Sequence, residues 1–151
     1  MKEINPEVVR RKLSEILDYI NDLKSFEMLT LEEFLSERYR QFTIERIMEL
    51  IVQAAIDINR YLLKKKGVNP STLSSYKTFV EIGNLGIITE SLAEVIKQSI
   101  DTRNALAHRY DDISPEEVFE EIVDILEKYP IYTRQVSTFL ESLDENPEES
   151  I

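Results

Sequence analysis

Cysteine is absent from this 151-residue chain, which excludes disulfides, thiolate metal sites and a cysteine nucleophile. Histidine occurs once, at His108, and a histidine-based zinc site normally needs several nitrogen ligands. Only three glycines are present and no strongly alternating Val/Ile/Thr run occurs, so no sheet is expected. None of those glycines forms a nucleotide-binding loop, which disfavours a kinase or ATPase. No apolar run is long enough to span a bilayer, and the N-terminus lacks the apolar stretch of a signal peptide. The expectation is a cytoplasmic protein with no membrane contact. Repeats and low-complexity segments are missing too, as is any sign of a second domain.

What is present suits one soluble domain with a substantial core: 42% hydrophobic and 31% charged residues. The net charge of −11 is unevenly spread. Residues 1–110 hold 16 acidic and 16 basic side chains, whereas residues 111–151 set 13 acidic residues against only Lys128 and Arg134. That is a poor composition for generic nucleic-acid binding, where a basic face supplies most of the affinity. A balanced surface before residue 111 still leaves room for a local basic cleft.

Helical periodicity runs through the chain. Asn5 and Pro6 open a first helix to about residue 26, with Val9, Leu13, Ile16, Ile20 and Leu23 on one stripe. Arg10, Arg11 and Lys12 on it read as a solvated flank or a phosphate patch. Thr30 and Glu33 form a capping box for a short helix. A long helix from about Glu37 to Lys66 carries Ile44, Ile47, Ile51, Ala54, Ala55, Ile58 and Leu62, and Gly67 ends it. A second line on this helix holds Arg46, Gln53, Asp57, Arg60 and Lys64, either a wet face or in part the wall of a cleft. Ser71 or Ser74 starts a short helix through Phe79 and Ile82, which Gly83–Gly86 breaks. Thr89 then caps a helix bearing Leu92, Val95, Ile96 and Ile100. Ser114, Pro115 and Glu117 begin a last helix, expected to kink at Pro130 while its stripe continues through Ile122, Ile125, Tyr129, Tyr132, Val136, Phe139 and Leu143. The expected architecture is all-α, a bundle of five to six helices. It forms one domain over residues 1–143, followed by an acidic mobile tail at 144–151.

The stretch from Arg103 to Tyr110 concentrates the chemistry. Arg103 is a permanent cation with a planar fork that fits phosphate, and His108 can take or give a proton near neutrality. Asn104 follows the arginine and Tyr110 lies two positions beyond the histidine. A lone histidine near an arginine is often structural, so this pattern alone leaves both readings open. Arg103 and His108 are five apart, about 140° around an ideal helix. Either the backbone leaves the helix before His108, or a second copy of the chain supplies partners.

Arg, four residues, His, one residue, Tyr, with Asn directly after the Arg, resembles the signature of the HEPN superfamily in its HepT-like branch. The likeness extends to the segment from Phe79 to Ala93, and to Glu45–Ile47 and Ala54–Ile58 of the long helix. It covers most of residues 8–130. The resemblance implies a HEPN-like helical bundle and a homodimer whose two motifs face one cleft. It implies metal-independent RNA cleavage without a cofactor, with His108 in proton transfer, Arg103 stabilising charge on the phosphate and Asn104 orienting either group. It further implies a toxin whose antitoxin is a minimal nucleotidyltransferase that AMPylates Tyr110. Tyr110 also reads as a helix-end aromatic packed on the core. A second possibility is a non-catalytic HEPN module that binds a nucleotide or a protein partner.

Overall fold

Most helices begin where a side chain takes over an amide that the helix itself leaves unpaired. Asn5 Oδ1 accepts from the Glu7 amide at 3.1 Å, with Pro6 in the first turn, and opens α1 (Pro6–Lys24). Thr30 and Glu33 cap each other, at 3.1 Å and 2.9 Å, to start α2 (Leu31–Ser36). The amide bonds from Thr30 hold the Glu33 carboxyl below its ordinary pKa. Glu37 stands just outside α3 (Arg38–Lys65) and accepts from the Tyr39 and Arg40 amides. Asn69 caps a single 3₁₀ turn at Pro70–Thr72, and Ser74 caps α4 (Ser75–Asn84). Thr89 caps α5 (Glu90–Val95), which is followed by α6 (Lys97–His108) and α7 (Pro115–Glu145). Gly67 ends α3 with φ +87°, a left-handed conformation that other residues rarely adopt.

The computed structural model describes residues 3–108 and 113–145, and no strand occurs among them. The all-α expectation therefore holds. Seven α-helices occur among the described residues where five or six were expected, because one predicted helix is divided at Ile96. The carbonyl of Ile96 accepts from both the amide and the hydroxyl of Ser99, at 3.1 Å and 2.6 Å. These bonds lie where α5 ends and α6 begins. Leu92, Ile96 and Ile100 are buried as expected, but Val95 is about half exposed at 49% because it falls on the outer flank of the break.

Helix α3 is the axis of the bundle and packs against α1, α2, α4, α6 and α7. Ile44, Met48, Ile51, Ala55, Ile58 and Leu62 are fully enclosed, and α1 lies along it with Val9, Leu13, Ile16, Ile20 and Leu23 buried. Burying one such side chain contributes roughly 1.5–3 kcal/mol before conformational entropy is charged against it. Ala54 and Ala55 let a neighbouring helix come close, and both are buried inside a single chain. Core packing thus accounts for that small pair without a second copy.

The tyrosines inside this core and their polar neighbours are paired. Tyr132 Oη donates to Asn59 Oδ1 at 2.6 Å and lies 3.1 Å from the Ala55 carbonyl oxygen. Asn59 Nδ2 donates to Thr78 Oγ1 at 3.2 Å, and Thr78 in turn donates to the Ser75 carbonyl at 2.7 Å. Tyr129 and Ser99 share a 2.8 Å bond; Ser99 already donates to Ile96, so Tyr129 is the donor. Tyr129 and Tyr132 are fully buried, which raises both hydroxyl pKa values. These bonds fix the rotation of α7 against α3 and α6, because a slipped register would strand several buried polar atoms at once.

Helix α7 runs through Pro130 as one element. It extends to Glu145, so Asp144 and Glu145 belong to the helix rather than to the tail expected from residue 144. Asp144 pairs with Arg10 at 3.4 Å, and Lys12 lies 3.5 Å from Glu15 and 3.7 Å from Asp57. Two of the three residues in the Arg10–Lys12 cluster therefore face carboxylates, as a solvated flank would.

Candidate functional site

Helix α6 remains helical through His108. The first way of bringing Arg103 and His108 together, a backbone that leaves the helix before the histidine, is thereby ruled out. Arg103 lies on the side turned toward α3, whereas His108 is exposed and lies about 140° further round. Asn104 is one turn before His108 and only about 40° from it, so these two share a line on the helix. Arg103 Nη1 donates to Asn104 Oδ1 at 3.0 Å. The guanidinium is thus drawn round the helix toward the histidine's side.

The other end of the fork meets α3. Arg103 Nη2 donates to Gln53 Oε1, and Gln53 Nε2 donates to Asp57 Oδ1 at 2.8 Å. Asp57 also faces Lys12 of α1 across 3.7 Å. A chain of partners therefore links α1, α3 and α6: Lys12, Asp57, Gln53, Arg103, Asn104. The sequence had set Gln53 and Asp57 on one line with Arg46, Arg60 and Lys64, and the structure divides that line by function. Gln53 and Asp57 reach the motif. Arg60 instead clamps the loop after α3, donating to the carbonyls of Pro70 at 2.6 Å and Leu73 at 3.2 Å. Arg46 pairs with Glu49 at 3.5 Å, and Lys64 is exposed.

Behind α6, Glu121 of α7 is buried, with 3% of its surface exposed. The Thr102 hydroxyl donates to its carboxyl, while Oε1 has no hydrogen-bond partner among the described residues. Burial, and then the negative charge of Asp124, push its pKa up to about 7; Lys128 opposes this. A carboxyl whose pKa is pushed up to about 7 therefore sits behind Thr102, the residue that precedes Arg103. No motif pattern announces it, since Glu121 stands among acidic residues that mostly face water.

Two clefts flank the outer side of α6. One of about 560 Å³ is lined by Arg38, Phe42, Glu45 and Glu49 of α3, Ala105 and Leu106 of α6, and Ile113, Pro115 and Val118. The other, about 310 Å³, is lined by Gln98, Asp101, Thr102, Asn104, Ala105, Ile113 and Glu117. Burial and the nearby Glu49 raise the pKa of Glu45. A larger groove of about 750 Å³ runs between the α4–α5 connection and α7, but none of the motif residues lines it. The chemistry is better read from the side chains on α6 than from the size of a hollow. Arg109 and Tyr110 lie outside the described residues.

Fold and site together describe an all-α protein presenting a guanidinium and an imidazole on one helix, with amides rather than carboxylates holding the guanidinium among the described residues. Comparison with known proteins narrows that class. Residues 16–136 match the family described as Ribonuclease HepT-like, and the chain belongs to that family. It is 40% identical over 145 residues to the tRNA nuclease HepT of Aphanizomenon flos-aquae (strain 2012/KM1/D3), covering 96% of this chain and 98% of that one. A putative RNase of Archaeoglobus fulgidus is 29% identical over 93 residues, covering 62% and 69% of the two chains. The fold also matches a solved structure, the cytosolic protein of unknown function YutE from Bacillus subtilis. That match has a TM-score of 0.76 at 16% identity, over 94% of each chain. The protein is a ribonuclease of the HepT-like family.

Proposed function

We propose that the chain is the toxin of a toxin–antitoxin pair and cleaves RNA, tRNA first among candidates, without a metal ion. The observation that carries this reading is the arrangement on α6: Arg103 held by two amide oxygens, with Asn104 and His108 on one line beside it. Cleavage needs a group to move a proton and a group to hold charge on the phosphate. His108 takes the proton of a ribose 2′-hydroxyl, or returns one to the leaving 5′-oxygen. Arg103 stabilises the extra negative charge on the phosphate oxygens. The 2′-oxygen bonds to phosphorus as the phosphorus–5′-oxygen bond breaks, leaving a 2′,3′-cyclic phosphate and a 5′-hydroxyl. Asn104, bonded to Arg103 and in line with His108, orients the pair.

The angular separation of Arg103 and His108 favours a site completed by a second copy. In a homodimer with α6 of each chain facing a common cleft, the histidine of one chain and the arginine of the other act on one phosphate. Tyr110 is the proposed control point. A nucleotidyltransferase antitoxin passes AMP from ATP to its hydroxyl: the tyrosine oxygen attacks the α-phosphorus, pyrophosphate leaves and the phenolic proton goes to solvent. The added bulk and negative charge then keep RNA phosphate away.

The test combines mass and activity. Light scattering should give a dimer, and tRNA should be cut in the presence of a chelator. His108→Ala and Arg103→Ala should each remove cleavage while remaining folded. Undiminished cleavage by folded His108→Ala, or activity abolished by the chelator, overturns the mechanism. A fully inert wild-type dimer that still binds the nucleotidyltransferase would favour a non-catalytic interaction module. Peptide mass analysis after co-expression should place the adduct on Tyr110, and an adduct on another tyrosine refutes that assignment.

A further inference from the structure

Arg103 is held in an unusual way for a partly buried arginine, because its two side-chain acceptors among the described residues are both neutral: Asn104 Oδ1 and Gln53 Oε1. A carboxylate was close at hand. Asp57, one turn beyond Gln53 on α3, lies on the same network but is reached through the Gln53 amide and is shared with Lys12. Among side chains of this length, glutamine is the one that accepts from a cation on one end and donates to a carboxylate on the other without having to take up a proton. Glutamate would repel Asp57, and lysine would repel Arg103.

We propose that Gln53 is a positioning residue for Arg103. It aims the guanidinium while leaving its charge uncompensated for a substrate phosphate, and it keeps Asp57 from pairing with it. The inference rests on the reading of Arg103 as the phosphate-holding group. A direct ion pair with a carboxylate would fix the arginine at least as firmly but would set a negative charge where the phosphate must approach. Orientation and neutralisation are thus separated by one amide, and Gln53 joins the machinery although it need not touch the RNA.

Three folded variants decide the matter: Gln53→Glu, Gln53→Met and Arg103→Ala. Each is assayed for single-turnover cleavage of tRNA, and for tRNA affinity at several salt concentrations in a His108→Ala background. Gln53→Glu should still fold, its pairing with Arg103 offsetting its repulsion from Asp57, yet cleave at least about tenfold more slowly. Its plot of log Kd against log salt should flatten by about 0.7–0.9, one phosphate contact, and so match Arg103→Ala. Gln53→Met, of similar length but without an acceptor, should cut about tenfold more slowly with its salt slope kept, because the charge is present but loosely aimed. A purely structural role for Gln53 would move the melting temperature and leave the salt slope alone. Cleavage by Gln53→Glu within about twofold of wild type, with Arg103→Ala inactive, overturns this inference and leaves the proposed function standing. Full activity in Arg103→Ala overturns the underlying reading instead. If Gln53→Glu does not fold, Gln53→Met decides, and full-rate cleavage by it is equally fatal.

Discussion

Replacing Glu121 by Gln should stabilise the protein at pH 8 and change little at pH 4.5. In the folded chain this carboxyl is buried against α6, one oxygen lacks a hydrogen-bond partner among the described residues, and its pKa is pushed from 4.5 to about 7. Between those values the folded chain keeps a proton that the unfolded chain has released. Stability must therefore fall as pH rises through the window and level off above about 7. Each pKa unit is worth about 1.4 kcal/mol, so the full difference corresponds to about 3 kcal/mol, or about 2 after allowing for water near the carboxyl. Glutamine has the same shape and no charge to desolvate. The assay is urea unfolding of wild type and Glu121→Gln at pH 4.5, 6 and 8, with the slope m checked for constancy. Other carboxyl groups titrate in both proteins and cancel in the difference. A stability difference that stays constant from pH 4.5 to 8, or Glu121→Gln less stable at pH 8, refutes the argument.

Two further substitutions test the packing. Tyr132→Phe removes the hydroxyl that donates to Asn59 Oδ1 and leaves a buried acceptor unpaired, so unfolding should cost about 1–3 kcal/mol less in urea titration, with no change in helix content by circular dichroism. Gly86→Ala should destabilise by about 1 kcal/mol from backbone strain alone, since φ there is +78° and nothing lies within 4 Å of the added methyl; unchanged thermal unfolding would refute it.

Much of the helical plan was legible in the residues. Asn5, Thr30, Ser74, Thr89 and Ser114 mark helix starts because a cap is a local event: a short side chain meets an amide two or three residues away. The stripes on α1, α3 and α7 were equally readable, since helical spacing alone decides which residues share a face. Arg103, Asn104 and His108 were legible as a group through their spacing and family likeness.

Tertiary structure decided what depends on contacts between distant segments. Ile96 lies within a strong helical pattern, yet the chain divides there, and Ser99 just beyond it is tied to Tyr129 of α7 thirty residues away. Ala54 and Ala55 fit a dimer seam or a core equally well until the packing of the bundle buries them in one chain. Gln53 and Glu121 carry no motif at all. One matters because α3 lies beside α6 and brings an amide to Arg103; the other matters because α7 presses a carboxyl out of water behind Thr102. A sequence specifies locally which side chains can cap, charge or line a helix. Only the packing of helices against one another decides which of them are deprived of water, and with it which charges are compensated and which remain available.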